Sequence, residues 1–247
     1  MWTTIRTTFH RLGSPPTFYA FAGRLLPWLA AITALLAATG LYGGLALAPA
    51  DYQQGEGFRI IYVHVPSAWM SMFTYVAMAA AAVVALIWRM KVAEVFVSCA
   101  APIGAAFTFL ALVTGSLWGK PMWGSFWVWD ARLTSELVLL FLYFGVIALD
   151  AAIEDRRSAA RACALLAIVG VVNIPIIHYS VEWWYTLHQG PILANPSKPT
   201  VHPDMLRPLL LMALAYNFYF FTVLLLRMRS ELLDRERYSR WVEEVLA

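Results

Sequence analysis

Six apolar stretches, near residues 25–48, 67–88, 95–117, 132–149, 162–181 and 205–226, fill most of this chain. Each is close to the ~20 residues that a helix needs to cross a hydrocarbon core of about 30 Å. In lipid every backbone N–H and C=O must be satisfied internally, so such stretches are predicted as helices. The expected fold is an all-α integral membrane protein, with six transmembrane helices in a single membrane domain over residues 1–247. Charged residues make up only 13% of the chain, against about 25% in a typical soluble domain.

Orientation follows from the basic side chains. Of 18 Lys and Arg residues, five lie in the first, third and fifth loops: Arg59, Lys120, Arg132, Lys198 and Arg207. The other 13 fall in the N-terminal segment, the second and fourth loops and the C-terminal tail, residues 228–247. The positive-inside rule then places both termini in the cytoplasm. The net charge of +3 is therefore a matter of membrane topology, and no nucleic-acid partner is expected. The run 25–48 is too long for a signal-peptide core and reads as a retained first helix. Cys99 and Cys163 are lone thiols within predicted helices, which define neither a disulfide framework nor a metal site. The chain has no Cys-x-x-Cys-His haem-attachment sequence and no Walker A sequence, so ATP hydrolysis by that route is excluded.

The fourth stretch is short, with uninterrupted apolar character only over residues 137–149. To span, its helix must begin near Asp130, which can cap the free N–H groups of the first turn. Arg132 and Glu136 are then expected at the outer interface. Directly before them lies a tryptophan-rich loop, residues 118–130. It holds Trp118, Trp123, Trp127 and Trp129, four of the chain's 11 tryptophans, with Phe126 among them. Each such ring can bury about 150–250 Å², so the segment should lie against lipid, protein or a flat ligand. Gly119, Pro121 and Gly124 are expected to break it into turns. Trp127 and Trp129, two apart, would share a face if extended. Trp28, Trp69, Trp88, Trp183 and Trp184 fit an interfacial aromatic belt. For the dense group, the residues alone leave a ligand platform and a lipid-facing belt evenly matched.

Of five histidines, His10 lies in the cytoplasmic N-terminal segment, and His64, His178, His188 and His202 lie on or near the outer side. Pro66 and Ser67 read as helix-start residues that would fix His64 at the membrane surface. His64 and His188 come from loops flanking the tryptophan-rich loop. Two imidazoles beside a flat aromatic slot suit axial ligation of haem iron. They suit zinc poorly, because zinc takes three or four close ligands.

The run Trp123-Gly-Ser-Phe-Trp-Val-Trp-Asp-Ala-Arg-Leu-Thr134 resembles the tryptophan-rich signature of the haem-handling membrane proteins of cytochrome c biogenesis. With six spans and flanking His64 and His188, the chain is similar over nearly its whole length to the haem exporter protein C (cytochrome c maturation protein C) family. The resemblance implies haem b as cofactor, with His64 and His188 as iron ligands and Trp118, Trp123, Trp127, Trp129 and Asp130 as the platform. It implies a site at the periplasmic face of the bacterial inner membrane. It also implies haem transfer (a lyase-like activity rather than a conventional catalytic site) to a periplasmic haem chaperone. Further partners are an ABC-type ATPase, its membrane permease and a small single-span membrane protein. Propionates want cations; Arg132 is the expected partner, with Arg59 or Lys120 as alternatives. His178 and His202 stay open as alternative ligands. Two competing classes are a haem b electron-transfer membrane subunit, which would place histidines within facing helices, and a transporter, which would want ionisable groups at mid-membrane depth.

Overall fold

The computed structural model describes residues 13–188 and 201–246. Arg6, His10, Arg11, Ser197 and Lys198 lie outside them. Among the described residues the regular structure is helical, with one isolated bridge between Asp51 and Gly55. Helix α1 (Pro15–Tyr42) runs on through a π-helical turn, Gly43–Leu47. A 3-10 turn, Glu56–Ile60, leads into α2 (Ile61–Trp88). Then follow α3 (Lys91–Trp123), α4 (Ala131–Ala152), α5 (Arg156–Gly170), α6 (Asn173–Trp183), α7 (Pro203–Arg235) and the short α8 (Arg240–Leu246). Six spans are long and apolar enough to cross a membrane, α5 and α6 together making the fifth. The protein is thus a six-span, all-α membrane protein, as its hydropathy leads one to expect.

Helix α3 is the centre of the bundle. It packs most extensively on α2 and also meets α4 and α7, while α1 lies almost wholly against α7 on the outside. Small residues permit the close approach: Ala79, Ala82, Ala100, Ala101 and Ala105 are all buried between helices, as membrane packing favours. Two buried tyrosines fill the middle. Tyr75 and Tyr143 meet edge to face with ring centroids 5.1 Å apart. Each sits over a glycine: a Cβ at Gly104 would collide with the Tyr143 ring, and one at Gly170 with the Tyr75 hydroxyl. Their hydroxyls donate to the carbonyls of Ser71 (2.7 Å) and Leu166 (3.3 Å), which removes the cost of an unpaired buried O–H.

Several local expectations change. The second span begins at Ile61 rather than at Pro66 or Ser67. The 3-10 turn before it supplies the helical start, and proline inside a membrane helix leaves only one carbonyl without its usual donor. The third span continues through Gly119 and Pro121 to Trp123, and only Gly124, at φ 75°, ends it. The tryptophan-rich segment is therefore helix as far as Trp123 and irregular, bent chain over 124–130, with Asp130 N–H donating to the Val128 carbonyl (2.9 Å) and Ser125 Oγ to the Trp127 carbonyl (2.8 Å). The fifth span breaks at Val171 and Val172, where Asn173 Nδ2 donates to the Ser135 carbonyl of α4 (2.9 Å). The sixth span runs nine residues beyond 226, to Arg235, so much of the expected tail is helix. Glu136 is not at an interface. It is buried inside the bundle and accepts from Ser71 Oγ (2.7 Å), because α4 turns that face toward α2.

Candidate functional site

The starts of α2, α4 and α7 and the ends of α1, α3 and α6 lie at one end of the bundle, where the tryptophans and four histidines gather. His64 lies in the first turn of α2, not in a loop. Its seat is one face of α3. A Cβ on Gly115 would come within 2.9 Å of His64 Cε1, so glycine makes room for the ring. The Trp118 ring meets it edge-on at 5.6 Å. His64 Nδ1 stands 3.0 Å from Thr114 Oγ1. That hydroxyl already donates to the Leu110 carbonyl at 2.6 Å, so toward the imidazole it can only accept. The tautomer follows: Nδ1 carries the hydrogen, and Nε2 keeps its lone pair.

Trp118 is itself anchored. Its Nε1 donates to Gln54 Oε1 (2.7 Å), and Phe58 packs edge-on at 5.8 Å. Five residues later on α3, about 140° further around the helix at 100° per residue, Trp123 packs against His188 with ring centroids 5.1 Å apart. Gly119 makes this possible, because a Cβ there would press within 2.9 Å of Trp123. Each histidine thus rests on a different tryptophan of one helix end, and His64 lies within electrostatic reach of both His188 and Arg132.

Asp130 joins the second half of the site. Its Oδ1 accepts from Leu133 N–H (2.8 Å), capping α4. Its Oδ2 accepts from the Thr186 hydroxyl and lies 3.7 Å from His188 Nδ1. The His188 N–H donates in turn to Thr186 Oγ1 (3.2 Å). One carboxylate therefore ties the tryptophan segment to the loop that carries His188. Among the described residues, His188 Nδ1 is buried with no hydrogen-bond partner, as is Trp127 Nε1. Burial first, and then the positive Arg132, hold the His188 imidazole below its ordinary 6.5, while Asp130 pulls the other way. A neutral ring with a free lone pair is the form that binds metal.

Trp127 and Trp129 touch edge to face at 5.4 Å. Trp129 is 76% exposed and Phe126 55%, so this stretch is not covered by its own chain. Of the three candidate cations, Arg59 pairs with Glu56 and donates to the Gly44 carbonyl. Lys120 donates to the Gly124 carbonyl (3.0 Å) and sits over the Phe126 ring. Arg132 uses one nitrogen on the Ile177 carbonyl (2.8 Å) and is the one within electrostatic reach of both histidines. His202 caps α7, its Nδ1 accepting from Asp204 N–H (3.3 Å). His178 lies mid-helix in α6, exposed and edge-on to Tyr179 at 4.7 Å. Neither joins His64 and His188. Thr114, Gly115, Gln54 and Thr186 were not singled out by sequence. The signal for the first two is their place one helical turn before Trp118.

The fold and this end of the bundle define a six-span, all-α membrane protein with two imidazoles set among tryptophans, and similarity narrows the class further. A family profile described as Heme exporter protein C matches residues 8–243. The Heme exporter protein C of Escherichia coli strain K12 is 52% identical over 246 residues, covering 100% of this chain and 98% of that protein. That of Rhodobacter capsulatus is 39% identical over 223 residues, 90% of this chain and 92% of that protein. A ccmC-like mitochondrial protein of Marchantia polymorpha, named for cytochrome c biosynthesis, is 46% identical over 183 residues, 74% of this chain and 77% of that protein. The chain belongs to the Heme exporter protein C family.

Proposed function

We propose that this end of the bundle binds haem b as cargo during cytochrome c biogenesis and presents it to a periplasmic haem chaperone. Membership of the family supports haem delivery. The observation that carries the finer reading is the matched arrangement of the two imidazoles. Each turns Nδ1 toward a protein oxygen, Thr114 Oγ1 at 3.0 Å and Asp130 Oδ2 at 3.7 Å, and each keeps Nε2 for a ligand. A histidine that ligates metal through one nitrogen is ordinarily oriented through the other in this way. The orphaned His188 Nδ1 fits the same reading, since a small rotation of the ring would close it onto Asp130.

His64 and His188 then hold the iron, which supplies the Lewis acid that fixes the macrocycle. Trp118, Trp123, Trp127 and Trp129 offer its flat face apolar surface. Covering a few hundred Å² at about 25 cal/mol/Å² contributes several kcal/mol before ordering costs. Asp130 positions His188, and Arg132 is the cation placed for a propionate. The exposed Trp129 and Phe126 leave an open edge where a chaperone could reach the ring. The site faces the periplasm from the bacterial inner membrane, and an ABC-type ATPase, its permease and a small single-span protein act with it.

The test is the visible spectrum of the purified protein, with the haem extracted and identified. Wild-type protein should show low-spin, bis-imidazole haem b, and His64→Ala or His188→Ala should lose or weaken it, with added imidazole restoring it in part. If His178→Ala or His202→Ala abolishes the spectrum while His64→Ala leaves it intact, the ligand assignment is wrong.

A further inference from the structure

The opposite end of the bundle carries a cleft of about 600 Å³ lined by seven Arg and Lys side chains and only three carboxylates. Four spans terminate on it: α2 at Trp88, α3 at Lys91, α5 at Arg156 and α7 at Arg235. Part of this charge is used internally. Lys91 pairs with Glu236 (2.7 Å), Arg235 with Glu231 (2.6 Å), and Arg156 lies 3.9 Å from Glu231 and Asp234. Arg89, Arg157, Arg161 and Arg237 have no carboxylate within ion-pair distance among the described residues; Arg237 lies over the Tyr238 ring, and Arg157 is within electrostatic reach of Asp155. Arg157 and Arg161, one turn apart, share a face of α5 near its N-terminus, where the helix dipole adds positive potential.

Arg89 gives a second, independent observation. It closes α2 in the left-handed conformation, φ 51°, and is the one such non-glycine residue among those described. A glycine would take this position without the ~1–2 kcal/mol that a Cβ costs there. The chain instead keeps an arginine that lines the cleft. Below the charges the walls turn apolar. Ala85, Leu86, Val95 and Leu232 line the cleft two to four residues inside the ends of their helices, about 3–6 Å deeper at 1.5 Å per residue; Leu86 is half-buried and the other three are buried.

We propose that this cleft binds the phosphate headgroup of an anionic phospholipid. Arg89, Arg157 and Arg161 hold the phosphate, and the acyl chains stay in the bilayer beside the span ends. Three features select a lipid over a free anion or an acidic protein face: the cleft sits where four membrane spans end, cationic residues stand above apolar ones, and four of the lining arginines are outside any ion pair. Basic pockets between helix ends are a known form of lipid recognition, and each cation near the surface is worth about fivefold in binding. The inference is independent of the haem site.

The experiment uses the full-length protein in neutral detergent, followed by native mass spectrometry with added dioleoyl phosphatidylglycerol, dioleoyl phosphatidylcholine or inorganic phosphate. Wild-type protein should retain phosphatidylglycerol over phosphatidylcholine by about tenfold or more, and inorganic phosphate in large excess should not displace it. Combined Arg89→Gln, Arg157→Gln and Arg161→Gln should remove that preference. The corresponding triple Lys variant should keep most of it, which separates lost charge from lost folding. Equal retention of both lipids, displacement by inorganic phosphate, or an unchanged preference in the Gln variant would each overturn the proposal. An unchanged lipid preference with loss of co-purifying partner proteins would assign the cleft to an acidic protein face instead.

Discussion

His64 and His188 are held by different means. His64 stands on a helix, and its Nδ1 is bonded to Thr114; His188 stands in a loop, and its Nδ1 has no bond yet. Thr114→Val removes the acceptor at nearly constant volume, so haem affinity should fall about 10–100-fold, while Thr114→Ser should restore it. Titration of the purified apo-protein with haem checks this, and equal affinity in the Val and Ser variants would refute the tautomer argument. Asp130→Asn tests the other side. It keeps the cap of α4, because Asn and Asp cap about equally well, and takes the negative charge from His188. Haem affinity should again fall about 10–100-fold with thermal stability little changed; unchanged affinity would make Asp130 a cap alone. At this scale, His64, His188 and Asp130 are legible in sequence because each is a chemically marked residue beside a dense aromatic run. Thr114 and Gly115 are not, because threonine and glycine are ordinary in membrane helices and only the packed ring of His64 gives them a role.

The tryptophan segment shows why element boundaries are harder to read than element existence. Gly119 and Pro121 look like turn residues, yet both lie in α3, since a proline frees only one carbonyl of the preceding turn and Gly119 is needed as space for Trp123. Trp118 and Trp123 are therefore helix residues, and Trp127 and Trp129 belong to the irregular loop that follows. This division yields a prediction. Trp127→Ala or Trp129→Ala should leave ligated haem largely in place and reduce covalent haem on a co-expressed chaperone more steeply. Trp118→Ala and Trp123→Ala, which undercut the histidines, should reduce both together. Haem stain on the chaperone against haem retained here is the measurement; if all four leave chaperone loading unchanged, the segment is only an interfacial belt. Deeper in the bundle, Gly104→Ala should cost about 1–3 kcal/mol through overpacking against Tyr143, read as a lower thermal midpoint. Partial recovery with Tyr143→Leu would locate the strain in that one crossing.

Across the whole molecule the two ends of the bundle differ in chemistry. One gathers His64, His188 and the tryptophans with four described cations, Arg59, Lys120, Arg132 and Arg207. The other gathers the arginine-lined cleft and the last turns of α7 with α8. Hydropathy makes the six spans legible because a twenty-residue average is insensitive to local detail. The break between α5 and α6 escapes it, because both halves are apolar and α6 is tied to α4 by Asn173 on the Ser135 carbonyl and by Arg132 on the Ile177 carbonyl. An even number of crossings returns the chain to its starting side, so the N-terminal segment, residues 156–161 and the C-terminus should share one compartment. The positive-inside rule predicts the cytoplasm for that compartment and, on the proposed function, the periplasm for the tryptophan end, where a haem chaperone could meet it. A reporter fused after Ala247 or inserted within 156–161 should therefore behave as cytoplasmic, and one inserted at Ser197 as periplasmic. Removing positive charge with Arg156→Gln, Arg157→Gln and Arg161→Gln together should weaken that bias without inverting it, because the remaining basic residues on that side still outnumber those on the other. Finding Ser197 and the C-terminus on the same side would contradict six crossings. A periplasmic C-terminus with Ser197 in the cytoplasm would keep the fold but turn the haem site inward, away from any periplasmic chaperone.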